Sequence, residues 1–531
     1  MTIDSDCAGA ANPVSSEAPR ESRFAGLLVW GIAAGALVLQ LATAGRYGLS
    51  IDELYQQVCA DRLAWGYVDQ PPLTPAILAW ARDNLSEGMF AMRFLPALAM
   101  AFALVLTARL TRRMGGGRGA GALAALVVAL APVFLVTGGE YGAAAFNALF
   151  WVMGCVVLAR LLNGETPYWW LAFGVIIGLG LLNDYAMALF LCAVLLALLL
   201  SSHRRTLLHW QLWMGLLFAF IIIMPHISWQ SLHDWPFLGF MERSFAWRES
   251  PSGAGRLLFA QWMALNPLAA PVWLGGLILL FASKRLRSYR VFAVLFLLVL
   301  AFCLIVDVSW VHLAPAFVPL IAAGAVVCAG WKKTWPIRAL RAACLIAFVA
   351  AGLLLMPFAV PILSVERLVA YQSWFHAVDT ADPASTLTPG HEGARAAALP
   401  GHFANRFGWA ELAEQAAGIY FLQNRTSQSK SVIWCATREQ AIAIEALGAA
   451  YGLPRPLTED SAYQFWRPAD MDGETTIAVG VERARLETFF SLVELGNIAD
   501  HPLALPKHRN VPIYLCSELK LPLRGIFVPG V

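Results

Sequence analysis

Apolar runs recur along the first two thirds of the chain, at about residues 24–45, 89–108, 120–137, 142–162, 168–182, 185–200, 207–224, 257–282, 291–306, 313–330 and 342–363. A helix that crosses a bilayer needs about 20 consecutive apolar residues. The pattern therefore predicts a polytopic α-helical membrane protein with about 11 spans. The two shortest runs, 168–182 and 185–200, fit either a tight hairpin around Asn183-Asp184 or one broken unit. The run at 24–45 is too long for the apolar stretch of a cleavable leader and reads as the first span.

Polar stretches separate these runs. The segment 46–88 is too polar to span. Ile51, Leu54, Tyr55 and Val58 form a stripe at helical spacing, Pro71-Pro72 breaks it, and Leu73, Ile77 and Trp80 start another. Two short helices lying in the membrane interface fit this. A second polar stretch covers 225–256. After residue 364 the composition is that of an ordinary water-facing domain. There the pattern predicts helices at 403–423, 438–451 and 482–495 and strands at 431–436, 475–479 and 512–516, a small α/β domain.

Charge gives these segments sides. Arg20 and Arg23, Arg109 to Arg118, Arg204 and Arg205, Lys284 to Arg290, and Lys332 to Arg341 all fall on one side if eleven spans are right. Basic loops stay in the cytoplasm. Residues 1–23 are then cytoplasmic, 24–363 form the membrane domain, and the loops 46–88 and 225–256 and the domain 364–531 lie outside. Composition agrees, with 59% hydrophobic and 14% charged residues against about 25% charged in soluble domains. The net charge of +3 is small, and no nucleic-acid partner is expected.

The chain has nine cysteines but no C-x-x-C or Cys/His cluster with zinc spacing. No cofactor is expected, and a divalent metal stays open. Cys435 and Cys516 both fall in the water-facing domain, and a disulfide between them stays open. Gly115-Gly116-Gly117-Arg118-Gly119 lacks the Lys-Ser/Thr end of a phosphate loop and reads as a cytoplasmic turn.

Candidate chemistry clusters outside. Asp52-Glu53 follows the first span. Partial burial would make such a carboxylate a better base, able to activate an acceptor hydroxyl or amine. The plainer reading is a helix start with Ser50 as N-cap. The segment Pro225 to Pro236 holds His226, His233, Asp234 and Trp235, which suit sugar stacking and hydroxyl binding or an ordinary aromatic belt. Arg62, Arg82, Arg93, Arg243, Arg248 and Arg256 are placed outside against the positive-inside trend, so some are candidates for binding phosphate. Arg93 lies inside the start of the second span. Glu140, Asn147, Asp184 and Asp307 mark further outer ends.

The run Asp52-Glu53-Leu54-Tyr55, Cys59-Ala60, and Leu63 through Asp69-Gln70-Pro71-Pro72-Leu73 resembles the first outer loop of glycosyltransferase family 39, in the bacterial branch related to aminoarabinose transferases and protein O-mannosyltransferases. Asn266-Pro267, Leu313-Ala314-Pro315 and Phe403 through Trp409 look like that family's later motifs. The resemblance implies a GT-C type membrane fold in a bacterial inner membrane, with the C-terminal domain periplasmic. It implies inverting transfer of a sugar from a polyprenyl-phosphate-linked donor to a lipid, glycan or protein acceptor, with membrane lipid around it. It further implies Asp52 as general base with Glu53 its catalytic neighbour. Tyr55, Asp69, Gln70, His226, His233 and Trp235 are the candidates for sugar or acceptor binding. The family usually has His at the position of Gln70, Lys at those of Asp184 and Ser309, and an acid at that of Asn147. With both lysines replaced, Arg82, Arg93 and Arg256 become the candidate donor-phosphate ligands. The alternative is a non-catalytic relative that binds a glycolipid or scaffolds envelope-glycan enzymes.

The charge pattern makes a direct prediction. A reporter active only outside the cytoplasm should be active when fused after Val531 and silent when fused within 112–118. The reverse pattern would overturn the orientation.

Overall fold

The computed structural model describes residues 18–246, 254–306, 310–330, 334–378, 398–466, 473–521 and 523. Among the described residues up to 378, seventeen α-helices follow one another: α1 (Ala18–Thr43), α2 (Ile51–Ala60), α3 (Leu73–Asn84), α4 (Met89–Arg113), α5 (Arg118–Ala129), α6 (Pro132–Gly139), α7 (Ala143–Leu162), α8 (Trp169–Asn183), α9 (Ala186–Leu199), α10 (Trp210–Leu232), α11 (Pro236–Ala246), α12 (Ala254–Ala264), α13 (Ala270–Ala282), α14 (Arg290–Val306), α15 (Phe317–Gly330), α16 (Trp335–Leu355) and α17 (Val365–Val378). Among the described residues seven helices are long and apolar enough to cross a membrane, and nine spans result if each of two bent pairs counts as one. The shorter apolar helices α8 and α9 are additional.

The two breaks have local causes. α5 and α6 bend by 68° where Pro132, which lacks an N–H, holds the preceding Ala131 extended. α12 and the following Pro267–Ala282 helix bend by 91°. Asn266 there takes a positive φ of 65° and its side chain accepts a hydrogen bond from Leu268 N–H. A third proline behaves differently. The outer loop expected to begin at Pro225 begins later, because α10 continues through Pro225 to Leu232. Membrane helices tolerate such a proline because neighbours re-satisfy the freed backbone groups.

Small residues let spans approach closely. A Cβ on Gly276 of α13 would stand 1.9 Å from the Leu320 carbonyl oxygen of α15, and one on Gly324 of α15 would stand 1.9 Å from the Val272 carbonyl oxygen. The two backbones therefore touch where each glycine faces the other helix.

The C-terminal part carries a five-stranded sheet of order β2-β1-β3-β5-β4. Its strands are β1 (Ser431–Cys435), β2 (Pro456–Leu457), β3 (Thr475–Val479), β4 (Phe490–Ala499) and β5 (Val511–Leu519). β2, β1 and β3 run parallel, and β5 and β4 join antiparallel. Two expectations need correction, and one open question is closed. The helix expected over 403–423 is divided at Gly408, which takes a φ of 91° before the helix Trp409–Leu422. The helix expected over 482–495 stops at Phe489, and β4 follows. Buried Leu486, Phe490 and Val493 stand at helical spacing, but pairing with β5 decides the backbone. A Cys435–Cys516 disulfide is also ruled out by register. β3 separates their strands, with Cys435 opposite Val479 and Cys516 opposite Thr476. Two strand spacings make about 9–10 Å, beyond the reach of a disulfide.

The first polar stretch does form two short helices, α2 and α3. α2 does not leave its apolar stripe for lipid. Its stripe of Ile51, Leu54, Tyr55, Val58 and Cys59 is buried with Trp409, Leu412, Ile433, Ile442 and Ile477 of the C-terminal domain. An apolar face covered by protein has no reason to seek lipid. In turn Leu399, Phe403 and Ala404 join the core of the membrane helices. The two parts of the chain thus interlock around α2.

Gly276→Ala should cost about 1–3 kcal/mol through overpacking and lower the melting temperature in detergent. Gly275→Ala, with nothing within 4 Å of its added Cβ, should be nearly silent. Equal effects from the two would contradict the close α13–α15 approach.

Candidate active site

The site starts from a helix cap. Ser50 Oγ accepts a hydrogen bond from Glu53 N–H at 3.2 Å, and Glu53 Oε2 accepts one from Ser50 N–H at 3.0 Å, a reciprocal capping box. This fixes the first turn of α2. Glu53 is fully buried and meets Arg93, whose side chain is 2% exposed. Arg93 Nε donates to Glu53 Oε1 at 2.8 Å and Nη2 to Oε2 at 2.6 Å, a bidentate pair. The same guanidinium donates to the carbonyls of Ala44, Arg46 and Gly48. Tyr141 N–H completes the set on Glu53 Oε1 at 3.1 Å. Burial by itself would raise the Glu53 pKa, but the hydrogen bonds and charge of Arg93 outweigh it and hold the carboxyl below its usual value.

Successive helix residues point about 100° apart, so Asp52 turns away from this lock and is exposed. Its Oδ2 accepts a 3.4 Å hydrogen bond from Asn405 Nδ2. Asn405 also accepts Ile51 N–H on its carbonyl at 3.4 Å. Arg406, the next residue, is buried with Nη2 4.0 Å from Glu140 Oε2. Burial pushes the Glu140 carboxyl up to about 7. Arg406 opposes this, while Glu53 and Asp52 add to it. Asp52, Glu53, Arg93, Glu140, Asn405 and Arg406 thus form one cluster drawn from four separate parts of the sequence.

A second group lies further along α2. Tyr55 OH donates to Asp69 Oδ1 at 2.6 Å, and Arg438 Nη1 pairs with Asp69 Oδ2 at 2.8 Å. Burial and the Asp69 charge raise the Tyr55 phenol well above its ordinary value, so it stays a donor. Gln70 accepts from Gln56 Nε2 at 2.7 Å and donates to Cys59 Sγ at 3.4 Å. A third group ties α10 to the first loop. His226 is buried, with Nδ1 2.9 Å from the Trp65 carbonyl and Nε2 2.8 Å from Tyr185 OH. Gln230 Nε2 donates to the Tyr67 carbonyl at 3.1 Å. Gly66 is what allows this contact, since a Cβ there would stand 2.6 Å from the Trp229 ring.

The remaining expectations fall as follows. His233 stacks on Trp229 with centroids 4.2 Å apart, and its Nδ1 lies 2.8 Å from the Trp229 carbonyl. Trp235 is exposed, with a φ of 53°. Arg82 pairs with Asp61 at the surface. Arg256 is exposed on α12. Arg93 is committed to Glu53 and three carbonyls, so its geometry is that of an anchor. Asp184 caps α9 through Ala186 N–H. With Asn147 and His312 it lines a small cavity beside Thr137 and Val311. Asp307, Ser309 and Arg248 lie outside the described residues, as does the side chain of Arg243. No group of three or more metal-ligating side chains occurs among the described residues. Sequence reasoning missed Asn405 and Arg438, which reach the first loop across more than 350 residues, and Arg406, which faces Glu140. The motif Phe403 to Trp409 pointed to that region without saying what it touches.

A family model described as dolichyl-phosphate-mannose-protein mannosyltransferase matches residues 69–229. Among solved structures, ArnT from Cupriavidus metallidurans bound to undecaprenyl phosphate is similar with a TM-score of 0.59 at 16% identity, over 91% of this chain and 97% of that one. The same protein in its apo state gives 0.57 at 16% identity, over 93% and 98%. No curated protein matches the sequence. The likeness to ArnT establishes the fold along nearly the whole chain.

Removing one partner of the buried pair should be severe. Arg93→Met leaves the Glu53 charge uncompensated and should cost about 3–5 kcal/mol, read as a large fall in melting temperature. The sign with pH follows from the lowered Glu53 pKa. Its contribution is present above the ordinary value of 4.5 and is lost as pH falls through the depressed folded value. In Glu53→Gln that acid-side loss should shrink. An Arg93→Met protein as stable as the parent would remove the anchor role.

Proposed function

We propose that this chain is a membrane glycosyltransferase of GT-C type, a reading supported by the family model over residues 69–229 and by the ArnT-like fold, and that it moves a sugar from a polyprenyl-phosphate donor to an extracytoplasmic lipid, glycan or protein acceptor, with inversion. The observation that carries the reading is the division of labour between two adjacent acids. Glu53 is locked in an ion pair, while Asp52 is exposed and accepts a hydrogen bond from Asn405. Asp52 takes the proton from an acceptor O–H or N–H as its lone pair attacks the anomeric carbon. The bond from that carbon to the phosphate oxygen breaks on the opposite face, and its electron pair leaves on the phosphate. Glu53 is a positioning residue, since it has no open edge from which to take a proton. Tyr55, Asp69 and Gln70 shape the wall beside Asp52. His226 holds the loop, and His233 and Trp235 are the aromatic surface for a sugar or acceptor. The site faces the periplasm from a bacterial inner membrane.

One observation favours a second reading, a non-catalytic glycolipid binder. Of the cations first suited to clamp the donor phosphate, Arg93 is saturated and Arg82 is paired at the surface.

General-base catalysis contributes about 10²–10⁴-fold in rate. With purified protein and a panel of polyprenyl-phosphate sugars, Asp52→Asn should lower turnover by about that factor while melting temperature and donor binding stay near those of the parent. Undiminished transfer by a folded Asp52→Asn protein would falsify the assignment of the base and revive the second reading.

A further inference from the structure

Next in sequence to the Asp52 partner Asn405, and facing Glu140, lies a buried cation with open hydrogen-bonding edges. The Arg406 side chain is 3% exposed. Its Nε and Nη1 have no hydrogen-bond partner among the described residues. Its Nη2 approaches Glu140 only to 4.0 Å, outside hydrogen-bond reach. A guanidinium out of water normally has its donors filled, because each empty one retains a desolvation cost. Arg93, on the other side of the same cluster, shows the filled state. The two cations therefore differ in kind: Arg93 is closed and Arg406 is open. Arg406 is also anchored where an anion is needed, since its neighbour Asn405 holds Asp52.

We propose that Arg406 is the phosphate-binding cation of this site, its open N–H edges receiving the oxyanion of the polyprenyl-phosphate carrier while Glu140 gives up its claim on the guanidinium. This rests on the transfer reading above and supplies the cation that Arg93 and Arg82 do not. Planar N–H donors matched to phosphate oxygens are the usual geometry for such recognition. The groups facing Glu140 are Arg406 from the C-terminal domain, Asp52 and Glu53 on α2, the Ser50 hydroxyl and Arg93 on α4. Three carboxylates against two guanidiniums leave an excess negative charge that a phosphate would increase. Protonation of Glu140, whose carboxyl is pushed up to about 7, removes that excess and frees Arg406. Phosphate binding should therefore strengthen as pH falls through about 7.

The test uses the full chain in lipid nanodiscs, with polyprenyl phosphate and inorganic phosphate as separate probes. Arg406→Gln should weaken polyprenyl phosphate by about 10- to 100-fold, and Arg406→Lys should weaken it less. Glu140→Gln should bind more tightly than the parent at pH 8 and lose most of the pH dependence. The ligand's own second proton, lost near pH ~6, is common to both proteins, so their difference isolates Glu140. If Arg406 only balances Glu140 structurally, the double variant Arg406→Gln/Glu140→Gln regains parental binding, and the proposal falls. If the double variant folds and still fails to bind, the proposal stands. Arg406-dependent binding of inorganic phosphate with no gain from the lipid keeps the anion site but overturns the lipid as its source. Arg406-dependent lipid binding without sugar transfer overturns the transfer reading and leaves this one standing. Parental affinity in Arg406→Gln, or no binding of either probe by the parent, overturns it.

Discussion

The Glu53–Arg93 pair is the contact around which the site is organised. Two charges taken out of water cost several kcal/mol each unless their remaining lone pairs and protons are also filled. Here they are filled by the Ser50 and Tyr141 amides on one side and by the Ala44, Arg46 and Gly48 carbonyls on the other. Those partners come from the end of the first span, the start of α2, the start of α4 and the segment after α6. The pair therefore sets the relative positions of four chain segments. An apolar replacement of equal volume could match its stability, but it would not dictate where each segment ends.

Asp52 inherits its position from that lock. The capping box fixes the first turn of α2, and the helix pitch then sends Asp52 away from Arg93 toward Asn405. Neither acid needs an unusual backbone to be so different. One is closed by four donors, and the other stands exposed with a hydrogen bond from Asn405. Glu140 and Arg406 sit between these extremes, mostly buried and 4.0 Å apart, with two of the Arg406 nitrogens unpaired among the described residues.

The C-terminal domain is a wall of the site. α2 completes its core, and the ion pairs Arg438–Asp69 and Arg62–Glu445 bind the first loop to the helix at Arg438–Gly448. From the membrane side, His226 and Gln230 of α10 hold the backbone of Trp65 and Tyr67. The loop that carries Asp52 is thus gripped from above and below. A shift of the C-terminal domain would move Asn405 and Arg406 relative to Asp52 directly.

By itself the sequence determined the features that depend on solvent and local spacing. Long apolar runs must be helices in hydrocarbon, because no other element satisfies its backbone there. Ser50 three residues before Glu53 specifies a cap wherever the helix is placed. Asp52-Glu53 was therefore legible as a helix start and as a candidate base. Which acid would be closed was not legible, since that depends on Arg93 arriving from 40 residues away. Nor was the fate of the apolar stripe on α2, because a stripe reads the same whether lipid or protein covers it. The β4 strand and the Cys435–Cys516 separation were decided by partners and register in the sheet. Arg406 was the least visible of all: an arginine reveals that its donors are empty only when every neighbour that could have filled them has been placed.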